Sequence, residues 1–286
     1  MKFTCAIIAD RYFSSMKMLW RVRSLLLLTV VLPLFNSCHR SGKISVRTET
    51  VLLDSLEQIE PLTTKLVKPR LYTNVYGLER LSRHEAKKVF VAAILPSILV
   101  AKHEMEQRRR NVVLLSAKTE WSASDSLYYK DLKERYRAND INDLLIRIGT
   151  LPSSIVLAQA AVESGWGTSR FFLKANNLFG VWSFDPTESR IPARQTRDKK
   201  RIYLRAYPDI AQSIVDYFEI LARSTSYKNL RTARLRTANV YKLLPHLRNY
   251  SERRSRYTRQ LQSIIVKNNL TAFDQYEIDP AYLVED

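Results

Sequence analysis

The stretch Pro152-Ser-Ser-Ile-Val-Leu-Ala-Gln-Ala-Ala-Val-Glu-Ser164 constrains this chain more than any other. Between Ile155 and Val162 seven of eight residues are apolar, and they fall on every side of a helix. A helix that is apolar all round has to be buried. Proline in its first turn and Gly165 just past its end mark its limits. Glu163 then arrives in the final turn, followed by Gly165-Trp-Gly167.

A carboxyl in that position is unfavourable when charged. Apolar surroundings disfavour the anion, and so does the negative end of the helix dipole. A carboxylic acid still protonated near neutral pH can give its proton to a leaving oxygen, the task of a glycosidase general acid. Trp166 is expected to pack against it, as a tryptophan does against the acid of lysozyme. Gln159, one turn earlier on the same face, reads either as a substrate contact or as a hydrogen-bonded buried amide. In Ala175-Asn-Asn-Leu-Phe-Gly-Val-Trp-Ser183, Asn176 and Asn177 suit a turn and can bond sugar hydroxyls and acetamido groups. Phe179 and Trp182 offer flat faces to sugar rings, or form a core behind the turn.

The rest of the chain reads as mainly α. Ser82-Arg-His-Glu85 has capping-box spacing and opens a helix that meets Pro96, where a kink or break is expected, and resumes to Arg110. Helices follow over 128–136, 144–148, 209–223, 239–248 and 255–267. Ile191–Gln195 and Arg201–Arg205 flank a polar turn and read as a short hairpin. Residues 39–65 read as a tether, 66–270 as one domain and 271–286 as a loose tail.

Gln159-Ala-Ala-Val-Glu-Ser-Gly-Trp-Gly-Thr-Ser169 followed by Asn177-Leu-Phe-Gly180 resembles the signature of the family 73 glycoside hydrolases. The likeness extends to their Bax-like branch through Lys87–Pro96, Ile191-Pro-Ala193, Arg205–Ile210, Ser226–Arg231 and Asn249–Tyr257, so that it covers roughly residues 66–268. The resemblance implies a lysozyme-like single domain with a small β-hairpin beside the active-site cleft. It also implies cleavage of the β-1,4 bond between N-acetylglucosamine and N-acetylmuramic acid in peptidoglycan strands, without a cofactor. By position, Glu163 takes the catalytic acid, and a family tyrosine maps onto Tyr250, with Tyr257 ranked second.

One departure matters. Many family members carry a second Glu on the first hairpin strand, where this chain reads Ile191-Pro-Ala-Arg-Gln195. Asp185, Glu188 and Asp198 are the nearest acids. Either Glu188 or another acid serves as base, or the substrate's 2-acetamido group acts as nucleophile. The second needs one protein carboxyl, with Tyr250 and an Asn to steady the acetamido group, and is the preferred expectation. A lytic transglycosylase works with a single Glu as well, and a non-catalytic wall-binding lipoprotein is the reading from a different class.

The N-terminus carries its own signal. Lys17, Arg21 and Arg23 precede the apolar run Leu25–Phe35, which meets Asn36-Ser37-Cys38. Charge, a short apolar run and a small residue make a secretory signal, and the start reads as Met16 or Met18, since residues 1–15 contribute nothing to it. Cysteine after the small residue resembles a lipobox, so residues 1–38 read as a lipoprotein signal. Cys38 is then the lipidated anchor of an exported, periplasmic protein held to a membrane. Cys5 is the only other cysteine, so no disulfide supports the mature chain. The net charge of +18 is concentrated in residues 190–259, with 18 Lys/Arg against 5 Asp/Glu. It suits an anionic glycan–peptide mesh. No helix-turn-helix, RRM, KH or zinc-finger pattern supports nucleic acid. His39, His84, His103 and His246 lack ligand spacing, so no metal is expected.

Overall fold

Capping residues place the helices. The computed structural model describes residues 44–197 and 200–285, all within one unit spanning Gly42–Asp286. Ser82 accepts the Glu85 amide at 3.3 Å and opens α1 (Arg83–Ser116). Ser122 and Asp125 form a reciprocal capping box on α2 (Ala123–Tyr136). Asp140 caps α3 (Ile141–Arg147), and Pro152 precedes α4 (Ser153–Ser164). Ser169 caps α5 (Arg170–Ala175), and Asp209 caps α6 (Ile210–Arg223). After α7 (Lys228–Arg234), Asn239 caps α8 (Val240–Leu243), and α9 (Ser255–Lys267) completes the helices. Each such cap satisfies an amide that the first turn otherwise leaves open.

The expected break at Pro96 does not occur; α1 runs through it. Proline removes one intrahelical bond and costs roughly 3 kcal/mol in a helix interior. Every residue from Phe90 to Leu99 is buried, however, and each large apolar side chain there contributes roughly 1.5–3 kcal/mol. Burial wins. The core forms where α1 packs on α4 and α6, with α9 closing over α4. On α9 the buried residues are Tyr257, Leu261 and Ile265, a stripe at four-residue spacing.

The β structure exceeds the single hairpin expected from the sequence, so the class is mixed α/β with several small sheets. Strand β1 (Ile44–Val46) pairs antiparallel with β9 (Leu283–Glu285). Strand β2 (Glu49–Leu52) runs parallel to β4 (Arg70–Thr73), and β3 (Leu66–Val67) parallel to β8 (Glu277–Ile278). The hairpin itself is β6 (Arg190–Arg197) and β7 (Lys200–Arg205), to which β5 (Trp182–Ser183) adds a third strand in the order β5-β7-β6.

These pairings overturn two expectations. Residues 44–65 are not a free tether, because β1 and β2 tie them to the body. Residues 271–285 are not a loose tail, because β8 and β9 are paired. A 3-10 helix, Leu270–Gln275, also brings Asp274 to the start of α4. The Asp274 carboxylate accepts the Ser154 amide and the Ser154 hydroxyl, each at 2.8 Å. Pro152 offers no capping side chain, so a residue about 120 positions away supplies the cap. The signal segment and Cys38 lie outside the described residues.

Candidate active site

The buried helix α4 carries Glu163 to the surface. Ten of its twelve residues are buried, and only Val162 and Glu163 keep partial exposure. The Tyr257 hydroxyl, from the first turn of α9, donates to Glu163 Oε1 at 2.8 Å. Gln159 Nε2 donates to the same Tyr257 oxygen at 3.0 Å, and the Tyr217 hydroxyl donates to Gln159 Oε1 at 2.5 Å. Tyr250 stacks on Tyr257 with ring centroids 5.7 Å apart and planes 9° from parallel, and meets Tyr217 edge-on at 6.1 Å. Tyr227 lies behind Tyr250 at 6.4 Å.

The electrostatics follow from this cage. Burial pushes the Glu163 carboxyl above its usual value of 4.5; the Tyr257 hydrogen bond and the positive charge of Arg253 pull the other way without cancelling it. The tyrosines respond in kind. Burial, then the nearby Glu163 carboxylate, raises Tyr227 to about 12. Burial and the same neighbour also hold Tyr257 well above the ordinary phenol value. The cage therefore stays protonated wherever Glu163 titrates, and it surrounds the acid with aromatic faces and one donor.

The turn after Glu163 is built from left-handed backbone. Gly165, Trp166 and Gly167 have φ of 60°, 56° and 82°. Ser164 locks it: its hydroxyl donates to the Ala160 carbonyl at 2.6 Å and accepts the Gly167 amide at 2.9 Å. At Gly167 a Cβ would stand 2.7 Å from Leu78 Cδ1 and 3.0 Å from Phe90 Cδ2, so close approach as well as φ requires glycine. Trp166, a non-glycine residue in this region, is strained.

The other residues singled out by sequence divide sharply. Tyr250 does not bond Glu163; that contact belongs to Tyr257, the tyrosine ranked second, and Tyr250 supports it from behind. Gln159 is fully buried and hydrogen-bonded between two tyrosines, the buried-amide alternative of the two readings. Asn177 is buried too, its carboxamide closing the turn onto Val181 and the Arg205 carbonyl. Asn176 ends α5 in left-handed conformation and donates to the Tyr207 and Pro208 carbonyls. Phe179 is a core residue, stacked on Tyr217 at 4.2 Å. Trp166 packs edge-on against Phe90 at 5.5 Å, with Lys87 Nζ 4.9 Å above its ring, and lines a cavity of about 520 Å³ with Leu62, Leu270 and Phe273. Of the aromatic platforms, Trp182 is 38% exposed and stands 6.1 Å from Phe184, which is 82% exposed and was not foreseen.

The nearby acids are otherwise engaged. Glu188 is ion-paired with Arg205 through Nε at 3.1 Å and Nη2 at 2.5 Å. Arg205 also binds Asp216, to which Tyr207 donates at 2.7 Å, and Arg223 completes the cluster. Asp185 holds the backbone and hydroxyl of Thr187 in its own turn. Asp198 lies outside the described residues. Tyr217, Tyr227 and Arg253 escaped sequence reasoning: nothing local to α6 marks Tyr217, whereas Tyr227 and Arg253 fall within the Ser226–Arg231 and Asn249–Tyr257 segments without standing out there.

Residues 138–270 match the family model described as mannosyl-glycoprotein endo-beta-N-acetylglucosaminidase, with Glu163 and Tyr257 both inside the match. Over these residues the chain is similar to glucosaminidase-type glycoside hydrolases. The chain is 26% identical over 196 residues to protein bax of Escherichia coli K12, covering 64% of this chain and 69% of that one. It is 33% identical over 94 residues to the exo-glucosaminidase LytG of Bacillus subtilis, of which it spans only 33%. It is likewise 33% identical over 95 residues to the peptidoglycan hydrolase FlgJ of Salmonella typhimurium, spanning 30% of that protein. Among solved structures, the catalytic domain of the Listeria monocytogenes autolysin Auto aligns at 21% identity and a TM-score of 0.37, over 59% of this chain and 96% of that one. The matched residues comprise α3 to α9, the elements that assemble the cage around Glu163.

Proposed function

We propose that this chain is an exported peptidoglycan hydrolase of the Bax-like branch, with Glu163 as the acid that cleaves the β-1,4 bond between N-acetylglucosamine and N-acetylmuramic acid. One observation carries the reading: a partly exposed carboxyl at the end of a buried helix, with burial raising its pKa and a single tyrosine hydroxyl holding one oxygen. The peptidoglycan hydrolases and the glucosaminidase among its relatives support the substrate class. Trp182 and Phe184 supply exposed faces on which sugar rings can stack.

Glu188, Asp185 and their partners favour substrate assistance over a second carboxylate, since Glu188 would first have to leave Arg205. In the proposed step Glu163 protonates the glycosidic oxygen as its bond to C1 breaks, and the acetamido carbonyl oxygen attacks C1 to close an oxazolinium ring. The Glu163 carboxylate then takes a proton from water, whose oxygen attacks C1 and reopens the ring. One side-chain carboxyl serves both halves. Cys38 is the proposed lipid anchor.

Mass spectrometry of muropeptides released from purified wall material tests the reading. The wild type should release products with reducing N-acetylglucosamine ends, and Glu163→Gln should release them about 10²–10⁴-fold more slowly, the usual contribution of a general acid. 1,6-Anhydromuramic products would make the domain a lytic transglycosylase. Equal activity of the two proteins would remove Glu163 as the acid. Trp182→Ala should raise KM with little change in kcat, since a stacking face binds substrate and transition state alike.

A further inference from the structure

The chain Tyr217–Gln159–Tyr257–Glu163 has a direction, and the direction comes from one residue. A carboxamide has a fixed donor end and a fixed acceptor end, whereas a phenol can do either. Tyr217 donates to Gln159 Oε1, which turns the amino end of Gln159 toward Tyr257. Tyr257 therefore accepts from Gln159, and its only proton goes to Glu163 Oε1. Tyr217 is held in place by its stack on Phe179, and Tyr257 by its stack on Tyr250.

The geometry points to Gln159 and Tyr217 as positioning residues that keep Tyr257 a permanent donor, so that the Glu163 acid proton resides on Oε2, the oxygen left free of the cage. This rests on Glu163 being the acid. Without Gln159, Tyr257 can turn its hydroxyl and accept the acid proton, hiding that proton inside the cage; with Gln159 in place that arrangement would leave an amide hydrogen facing a hydroxyl hydrogen. The fully buried Gln159 touches no substrate, and its effect is on where a proton sits.

The test is the pH profile of kcat/KM on wall fragments for Gln159→Met, Tyr217→Phe, Tyr257→Phe and Glu163→Gln. The Tyr257 hydrogen bond favours the Glu163 anion, so weakening it raises the pKa further. Activity needs the protonated acid, so Gln159→Met should move the basic limb to higher pH and lower kcat about tenfold, roughly one net hydrogen bond, with KM unchanged. Tyr217→Phe, which keeps its ring, should shift the limb the same way by less, and reads the relay even if Gln159→Met fails to fold. In a Tyr257→Phe background, Gln159→Met should cause no further shift. A limb that stays in place in Gln159→Met and Tyr217→Phe, or one that still moves when Tyr257 has lost its hydroxyl, would overturn the relay while leaving Glu163 as acid. Wild-type activity in Glu163→Gln would overturn the acid assignment itself, and the relay with it.

Discussion

Glu163 is paid for in stability. Its folded pKa lies above the unfolded value, so the neutral form is the one the fold favours. Below about pH 4.5 both states carry the proton and burial costs little; as pH rises toward and through the folded pKa, the buried anion destabilises the protein. Glu163→Gln should therefore raise Tm relative to wild type, and the gain should be larger at pH 7 than at pH 4. Calorimetry at the two values checks this, and a gain that shrinks with rising pH would contradict it. Gly167 makes the opposite case, a residue whose replacement should only harm. Gly167→Ala combines a left-handed backbone with a Cβ 2.7 Å from Leu78. It should cost roughly 2–4 kcal/mol by chemical denaturation.

At the scale of elements, α4 was legible because its signal is local: an apolar run on every face, Gly165 at its end and one carboxylate. Helix α9 was legible for the same reason, its limits falling where expected. What the sequence hid was long-range. Asp274 gives no local sign that it caps α4, and the short strands β1, β2, β3, β8 and β9 have too few residues to show alternation. The site was half legible on the same grounds. Glu163 follows from its own helix, whereas the choice of Tyr257 over Tyr250 depends on how α9 packs, and Asn177 and Phe179 turned inward because the turn at 176–181 needed closing. Pro96 does not break α1, because a local penalty is outweighed by burial along ten residues of the helix. Asp274→Ala should cost about 1–2 kcal/mol through the lost cap, measured by urea unfolding. Because α4 is the element that aims Glu163, the variant should also lose activity at temperatures below its Tm.

For the molecule as a whole, the net charge of +18 governs its encounter with substrate more than its fold. The basic excess in residues 190–259 includes the hairpin and the helices that follow it. Binding to isolated anionic wall material should weaken steeply between 50 and 500 mM salt, conditions that span about a Debye length of 14 Å to one near 4 Å. A sedimentation assay in which the bound fraction is unchanged by salt would assign binding to the aromatic faces alone. The strand pairings at 44–52 and 277–285 join both ends of the described chain to the body.

The proposed hydrolysis depends on a single carboxyl that the fold keeps protonated beside the scissile bond. It is tested most directly by a ¹³C NMR titration of glutamate side chains in the wild type, with Glu163→Gln to assign the resonance. The resonance lost in Glu163→Gln should titrate above 4.5 in the wild type, and higher still in Tyr257→Phe. A midpoint at or below 4.5 in the wild type would contradict it.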